Sequence, residues 1–168
     1  MAKLGGERES VQNPLVRYAC EIGWEYIKPE EALRLRNGET GLLFKDVFKD
    51  QISKLNSEFI DSGIIDELIK KIEKLPTTIE GNLQAWEYMR GIKTVFVPKE
   101  KRERNVCLID REVKRNVFQV TDEFTFINGT FNNRYDVVFL INGIPVFFVE
   151  TKSAHKTGGM GEALDQVR

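Results

Sequence analysis

The segment from Arg134 to Lys152 contains two apolar stretches joined by Asn142-Gly143, a dipeptide typical of a tight β-hairpin turn. Both stretches carry charge: Asp136 opens the first, and Glu150 and Lys152 close the second. Residues i and i+2 of a strand project to the same face, so Glu150 and Lys152 are expected to point together. Buried charges are costly unless they are paired or coordinate a metal. The segment is therefore predicted to hold a functional site.

The connection between the two strands decides whether Asp136 and Glu150 share a face. A two-residue turn at Asn142-Gly143 would pair 141 with 144 and set 136 opposite 149, with the carboxylates on opposite faces. A three-residue connection or a single bulge would set 136 opposite 150 and bring them together. A shared site therefore predicts an odd-length loop or a bulge, and a regular two-residue hairpin would exclude it.

An acid–acid–amine cluster suits phosphodiester hydrolysis. That reaction needs a cation to neutralise the phosphate and to supply hydroxide near neutral pH, and Mg²⁺ is usually held by one or two carboxylates. Asp136 and Glu150 are the candidate ligands, and Lys152 could donate to a phosphate oxygen or orient the attacking water. Alternatively, Asp136 simply pairs with Arg134 or Lys152 at a solvated sheet edge.

Composition fits one ordinary globular domain. The 168 residues are 41% hydrophobic and 30% charged, and the net charge of −1 argues against a self-sufficient duplex-binding protein. The sequence shows neither a secretion signal nor an apolar run that could cross a bilayer, so no membrane partner is expected. The cysteines Cys20 and Cys107 are predicted to be buried free thiols in a reducing cytoplasm.

Periodicity predicts a helical first half and a β-rich second half. Apolar positions recur at helical spacing over 9–22, with Gly23 as the stop, and a helical region follows at about 44–90. The charge run 99–104 is interpreted as a loop, and 160–168 as a final helix cut before its cap. A sheet core is predicted over 94–152, with 145–152 as a central strand covered on both sides. Its strands are expected at Thr94–Val97, Asn105–Asp110, Val117–Ile127, Tyr135–Ile141 and Pro145–Lys152. Asn128-Gly129, like Asn142-Gly143, predicts a hairpin turn.

Asp136 followed by Glu150-Thr151-Lys152 resembles the active-site signature of PD-(D/E)XK nucleases, although Tyr135 stands where that signature has proline. The surrounding sequence resembles the N-terminal nuclease domain of the HsdR-type restriction subunit of type I restriction–modification enzymes. The segments that carry this resemblance are 116–124, 134–146 and 149–154, with 9–16 and 23–27 similar to the opening helix of that family. The resemblance covers nearly the whole chain.

The resemblance implies a restriction-endonuclease-like α/β fold: a mixed central sheet flanked by helices, an extra helical region, and one domain over 1–168. It implies that Asp136, Glu150 and Thr151 hold the metal and that Lys152 is the catalytic lysine. Glu9 would match the family's additional acidic residue, whose alternative role is to favour a helix N-terminus. Gln166 would match the glutamine of a Gln-x-x-x-Tyr motif, whose tyrosine would fall two residues past Arg168.

The activity implied is Mg²⁺-dependent cleavage of double-stranded DNA, with Mn²⁺ as a substitute. The chain would act with its own motor domains, which use ATP, and with methyltransferase and specificity subunits. Two alternatives stay open. The chain could be another nuclease of the same fold, such as a repair or resolvase-like enzyme, or a non-catalytic docking or regulatory module.

Overall fold

The computed structural model describes Gly6, residues 8–152 and Leu164. The chain divides into two compact units, one with the residues up to Phe44 and from Phe118 onwards, the other with Lys45–Val117. Residue 166 and most of the expected final helix lie outside the described residues. In chain order the elements are a π-helical turn (Arg8–Gln12), α1 (Asn13–Glu21), β1 (Glu25–Tyr26), α2 (Pro29–Leu35), α3 (Lys45–Leu55), α4 (Ser62–Glu73), α5 (Ile79–Met89), β2 (Thr94–Val97), β3 (Arg102–Asn105), a 3-10 turn (Val113–Arg115), β4 (Phe118–Asn128), β5 (Phe131–Ile141) and β6 (Ile144–Val149).

A mixed sheet forms the centre of the first unit. Its strand order is β1-β4-β5-β6. The short β1 runs parallel to β4, whereas β4, β5 and β6 form an antiparallel meander. A mixed sheet flanked by helices confirms the predicted α/β class.

Both predicted hairpins are present, with different turns. Asn142 and Gly143 have φ of +54° and +77°, the left-handed backbone that a type I′ turn requires at both positions. In the β4–β5 hairpin Asn128 pairs with Phe131, so Gly129 and Thr130 form the turn. The Asn-Gly signal therefore located this second hairpin correctly but placed its turn one residue too early.

Helix α1 packs on one face of this sheet. Ala19 of the helix forms a buried cluster with Val120 on β4 and with Val137 and Phe139 on β5. Trp24 extends this core, since its ring lies edge-on to Phe139 at 4.9 Å between ring centroids. Truncation of such side chains typically costs about 2–5 kcal/mol. Because side chains alternate along a strand, the face toward α1 is fixed by Val137, and Asp136 projects to the opposite face.

The unit Lys45–Val117 contains α3, α4 and α5 with a separate two-stranded sheet, β2-β3. Two of its helices begin where the sequence supplies caps. At the start of α4 the Asp61 side chain accepts from the N–H of Ile64 at 3.1 Å. The Thr78 hydroxyl caps α5 in the same way, accepting from the N–H of Gly81 at 3.3 Å. The strands between 94 and 152 therefore lie in two sheets, where a single sheet core was expected.

The charge run 99–104 is not entirely a loop. Arg102–Asn105 form β3, which pairs with β2 along its whole length. A strand was predicted over 105–110, but of those residues only Asn105 belongs to β3. The charges are compatible with pairing because they lie on an exposed strand and find local partners. Arg102 contacts Glu100 at 2.6 Å and Arg104 contacts Glu58 at 3.2 Å.

Two expectations about burial are wrong for the described residues. In this part of the chain β6 is the last strand of its sheet, and Phe147 and Phe148 are 49% and 41% exposed. Cys20 is exposed and Cys107 is partly buried, although both are free thiols as predicted. Cys20 follows the buried Ala19, and the next position of a helix turns away from the packed face. No helix among the described residues is long and apolar enough to cross a membrane.

Candidate active site

A bulge in β6 brings Asp136 level with Glu150. Next to the two-residue turn, Leu140 pairs with Pro145, but Phe139 pairs with Phe147, so Val146 is the extra residue of a bulge. Beyond the bulge Val137 pairs with Val149, and the next positions on the two strands are Asp136 and Glu150. The bulge that a shared carboxylate site requires is therefore present. It lies within the strand, beside a regular two-residue turn.

Thr151 fixes the side chain of Asp136. The Thr151 main-chain N–H donates to Asp136 Oδ2 at 2.7 Å, and the Thr151 hydroxyl donates to the same oxygen at 2.9 Å. Thr151 is buried and Asp136 is half-buried, so these hydrogen bonds are only partly exposed to water. The Asp136 carboxylate is thereby tied to the residue between Glu150 and Lys152. Of the two alternative partners of Asp136, Arg134 instead pairs with Glu123 at 3.1 Å.

Glu150 is a largely buried carboxylate beside another carboxylate. Burial raises the pKa of Glu150, and the nearby charge of Asp136 raises it further. The Lys152 ammonium partly opposes this rise, with its Nζ at 3.9 Å from Glu150 Oε2 and the two side chains 19% and 8% exposed. A cation between two such carboxylates would remove the repulsion that raises this pKa. Their hard oxygens suit Mg²⁺ or Mn²⁺.

Among the described residues, Glu9 is not gathered with this pair. The described residues contain no group of three or more Asp, Glu, His or Cys side chains that could together hold a metal ion. Glu9 lies in the π-helical turn and is exposed. Gln166 is outside the described residues. The structure thus brings together Asp136, Glu150, Thr151 and Lys152.

A second polar cluster lies on the α1 side of the sheet, and the sequence did not reveal it. Asp122 in β4 is buried, and it accepts from the Tyr26 hydroxyl at 2.7 Å and from Arg8 at 3.1 Å. Burial and this carboxylate together raise the pKa of Tyr26 to about 12. The Gln12 amide also donates to Asp122, at 3.2 Å. One sequence signal was available: Asp122 and Glu123 are the charged residues of a strand that carries no other charge.

These features define a class of protein. A mixed sheet flanked by helices, with an acid on one strand of a hairpin and Glu-Thr-Lys after the next strand, is the PD-(D/E)XK nuclease fold. The family model described as the type I restriction enzyme R protein N terminus matches residues 6–168. The chain belongs to this family.

Curated relatives agree with the family match. The chain is 24% identical over 162 residues to the endonuclease subunit of a type I restriction enzyme from Staphylococcus aureus strain MSSA476, with 95% of this chain and 16% of that protein covered. It is 40% identical over 74 residues to the endonuclease subunit of EcoprrI from Escherichia coli, covering 43% and 22% of the two chains. A putative endonuclease subunit from Methanocaldococcus jannaschii is 29% identical over 159 residues, covering 85% and 15%. The chain thus spans only a minor part of these relatives.

Proposed function

We propose that this chain is a Mg²⁺-dependent endonuclease domain that hydrolyses phosphodiester bonds of double-stranded DNA within a type I restriction enzyme. One observation carries the proposal. The Val146 bulge sets Asp136 level with Glu150, and Thr151 joins the two through its hydrogen bonds to Asp136. The register of β5 and β6 and the chemistry of Glu150, Thr151 and Lys152 therefore support the same site.

The residues take distinct roles in this proposal. Asp136 and Glu150 would hold the divalent ion, with Asp136 using Oδ1 because both Thr151 hydrogen bonds fall on Oδ2. Thr151 would belong to the same metal site, where it holds the Asp136 carboxylate. A bound Mg²⁺ supplies charge neutralisation at the phosphate and acidifies the attacking water. Lys152, held near Glu150, donates to a phosphate oxygen or orients that water. Glu9 and Gln166 stay predictions as further site residues.

The wider assignments follow from membership of the type I restriction enzyme R protein family. The curated relatives are called endonuclease subunits of type I restriction enzymes and are several times longer than this chain. We therefore assign ATP-driven DNA translocation to parts of a longer protein that this chain does not contain. Methyltransferase and specificity subunits are the proposed partners, and the cytoplasm is the proposed location.

Calorimetry with Mn²⁺ tests the site without depending on a motor. The chain should bind Mn²⁺, and Asp136→Asn should weaken binding by at least about tenfold, as the loss of a carboxylate ligand predicts. Asp66→Asn is the matched control, because Asp66 is an exposed carboxylate in the other unit, paired with Lys49 at 2.7 Å. Metal-dependent nicking of plasmid DNA, compared with Lys152→Met, then tests the chemistry.

The outcomes separate the proposal from its alternatives. No Mn²⁺ binding, or binding unchanged in Asp136→Asn, would indicate a docking or regulatory module. Metal binding with cleavage that survives Lys152→Met would contradict the role given to Lys152. Cleavage restricted to branched or damaged DNA would favour a repair or resolvase-like enzyme.

A further inference from the structure

The side-chain amide of Gln12 contacts three residues from two strands. Gln12 ends the π-helical turn before α1 and is 3% exposed. Its Nε2 donates to Asp122 Oδ2 at 3.2 Å, to Glu123 Oε1 at 3.3 Å and to the main-chain carbonyl of Asp136 at 3.1 Å. A residue far from the candidate site in sequence therefore bonds directly to the backbone of its first carboxylate.

The three groups that contact Gln12 Nε2 are all hydrogen-bond acceptors. Two carboxylates and a carbonyl face Nε2, so a buried N–H donor is the group that fits between them. Asp122 is itself fixed by Tyr26 and Arg8. The Gln12 amide is therefore bound to a carboxylate whose own position is fixed. Its hydrogen bond to the Asp136 carbonyl thus restricts the position of the β5 backbone.

The backbone of β4 is irregular where this contact occurs. Asp122 pairs with Val137 and Phe124 with Tyr135, but the intervening Glu123 is not paired and has φ of +51°. A left-handed residue inside a strand is unfavourable unless its surroundings impose it. The Gln12 amide bonds the Glu123 carboxylate and the Asp136 carbonyl, and so spans this gap between the strands.

We infer that Gln12 is a positioning residue for the reaction proposed above, on which this inference rests. Gln12 holds the main chain of Asp136 from the α1 side of the sheet, while Thr151 holds its carboxylate on the other side. Together the two contacts set where the Asp136 carboxylate stands relative to Glu150. In this role Gln12 acts through the backbone of Asp136 and is not itself a metal ligand.

Gln12→Met tests this role, because Met fills similar space without a donor. Gln119→Met is the matched control. Gln119 is also 3% exposed and lies in the same sheet, and its Oε1 has no hydrogen-bond partner in the part of the chain described. Calorimetry should show a Kd for Mn²⁺ about tenfold higher in Gln12→Met and unchanged in Gln119→Met. The carbonyl ¹³C resonance of Asp136 should shift in Gln12→Met alone, since it loses its donor.

If Gln12→Met does not fold, Gln12→Asn replaces it, because Asn keeps a buried amide but withdraws its N–H groups by one methylene from the Asp136 carbonyl. Equal Mn²⁺ affinity in wild type and the Gln12 variant would overturn the inference and leave the proposed function intact. The inference is also overturned if Gln119→Met weakens Mn²⁺ binding as much as Gln12→Met does. The effect would then be a general loss of stability. Absence of Mn²⁺ binding in the wild type overturns the proposed function, and the positioning role with it.

Discussion

Thr151 donates two hydrogen bonds to a single oxygen of Asp136, one from its main chain at 2.7 Å and one from its hydroxyl at 2.9 Å. The main-chain bond depends only on the path of the strand, whereas the hydroxyl bond depends on the residue type. Both fix the rotamer of a carboxylate that must otherwise be ordered when a metal binds. Preorganisation of this kind favours binding because the ordering cost is met during folding.

Thr151→Val should weaken Mn²⁺ binding by about tenfold, because a hydrogen bond to a charged group contributes about 1.5–3 kcal/mol and part of it is kept by the main chain. Calorimetry measures the change. Thr151→Ser is the control, since it restores the hydroxyl and should bind Mn²⁺ like the wild type. Equal affinity in the Val and Ser variants would show that the hydroxyl has no part in ordering Asp136.

Glu150→Gln should bind Mn²⁺ at least about tenfold more weakly, yet be more stable than the wild type at neutral pH. Burial and Asp136 raise the pKa of Glu150, so the folded state holds its proton more tightly than the unfolded state. The wild-type free energy of unfolding therefore falls as pH rises from the ordinary glutamate pKa through the raised value. This fall should be smaller in Glu150→Gln. Denaturant unfolding over that pH range provides the measurement, and a variant less stable than the wild type at pH 7 contradicts the prediction.

Tyr26 should ionise near pH 12, because burial and the Asp122 carboxylate raise its pKa from 10 to about 12. Its folded pKa exceeds the unfolded one, so stability that is complete below pH 10 is lost as pH rises towards 12. Comparison of phenolate absorbance between the wild type and Tyr26→Phe isolates this residue. In Asp122→Asn the Tyr26 pKa should return towards 10, and a pKa that stays near 12 would assign the whole shift to burial.

Deletion of Val146 should preserve Mn²⁺ binding, because it removes the bulge residue and leaves Phe147 opposite Phe139 as it is now. Asp136 and Glu150 then stay level in a regular hairpin. Deletion of Val146 together with Phe147 shifts the register by one residue and turns Glu150 to the other face. Calorimetry should therefore show binding in the first variant, within about threefold of the wild type, and none in the second.

Thermal unfolding is the companion measurement for both deletions. Val146 packs against the α1 core cluster, so the single deletion should cost about 1–2 kcal/mol of stability. Loss of Mn²⁺ binding in a well-folded single-deletion variant would mean that the bulge itself, and not the register it sets, is needed.

Much of this architecture depends on local signals in the sequence. Asp61 and Thr78 begin helices where short polar side chains can accept from the first turn. Asn142-Gly143 forms the expected turn because both residues tolerate positive φ. The prediction of a loop over 99–104 was wrong for β3 because charged residues can also occupy an exposed strand. There Arg102 and Arg104 find carboxylate partners.

The candidate site could be predicted in part from the same local signals. Alternation along β5 and β6 required a bulge if Asp136 and Glu150 were to share a face, and the bulge exists at Val146. Its position was not predictable from the turn, because pairing beyond Pro145 depends on how Val146 packs against α1. The contact between Gln12 and Asp122 was not predictable, because the two residues lie 110 positions apart in the sequence. Only folding brings Gln12 Nε2 to 3.2 Å from Asp122 Oδ2.

By itself the sequence determined the main helical region, the Asn142-Gly143 turn and the choice of Asp136, Glu150, Thr151 and Lys152 as candidate site residues, because these depend on backbone preferences and on spacing within one hairpin. Only the tertiary structure decided the contacts between distant segments: Gln12 at the Asp136 carbonyl, and Tyr26 on a buried Asp122. The physical reason is desolvation. A polar group removed from water takes whichever partner the fold places within hydrogen-bond distance, and no local pattern specifies which partner that is.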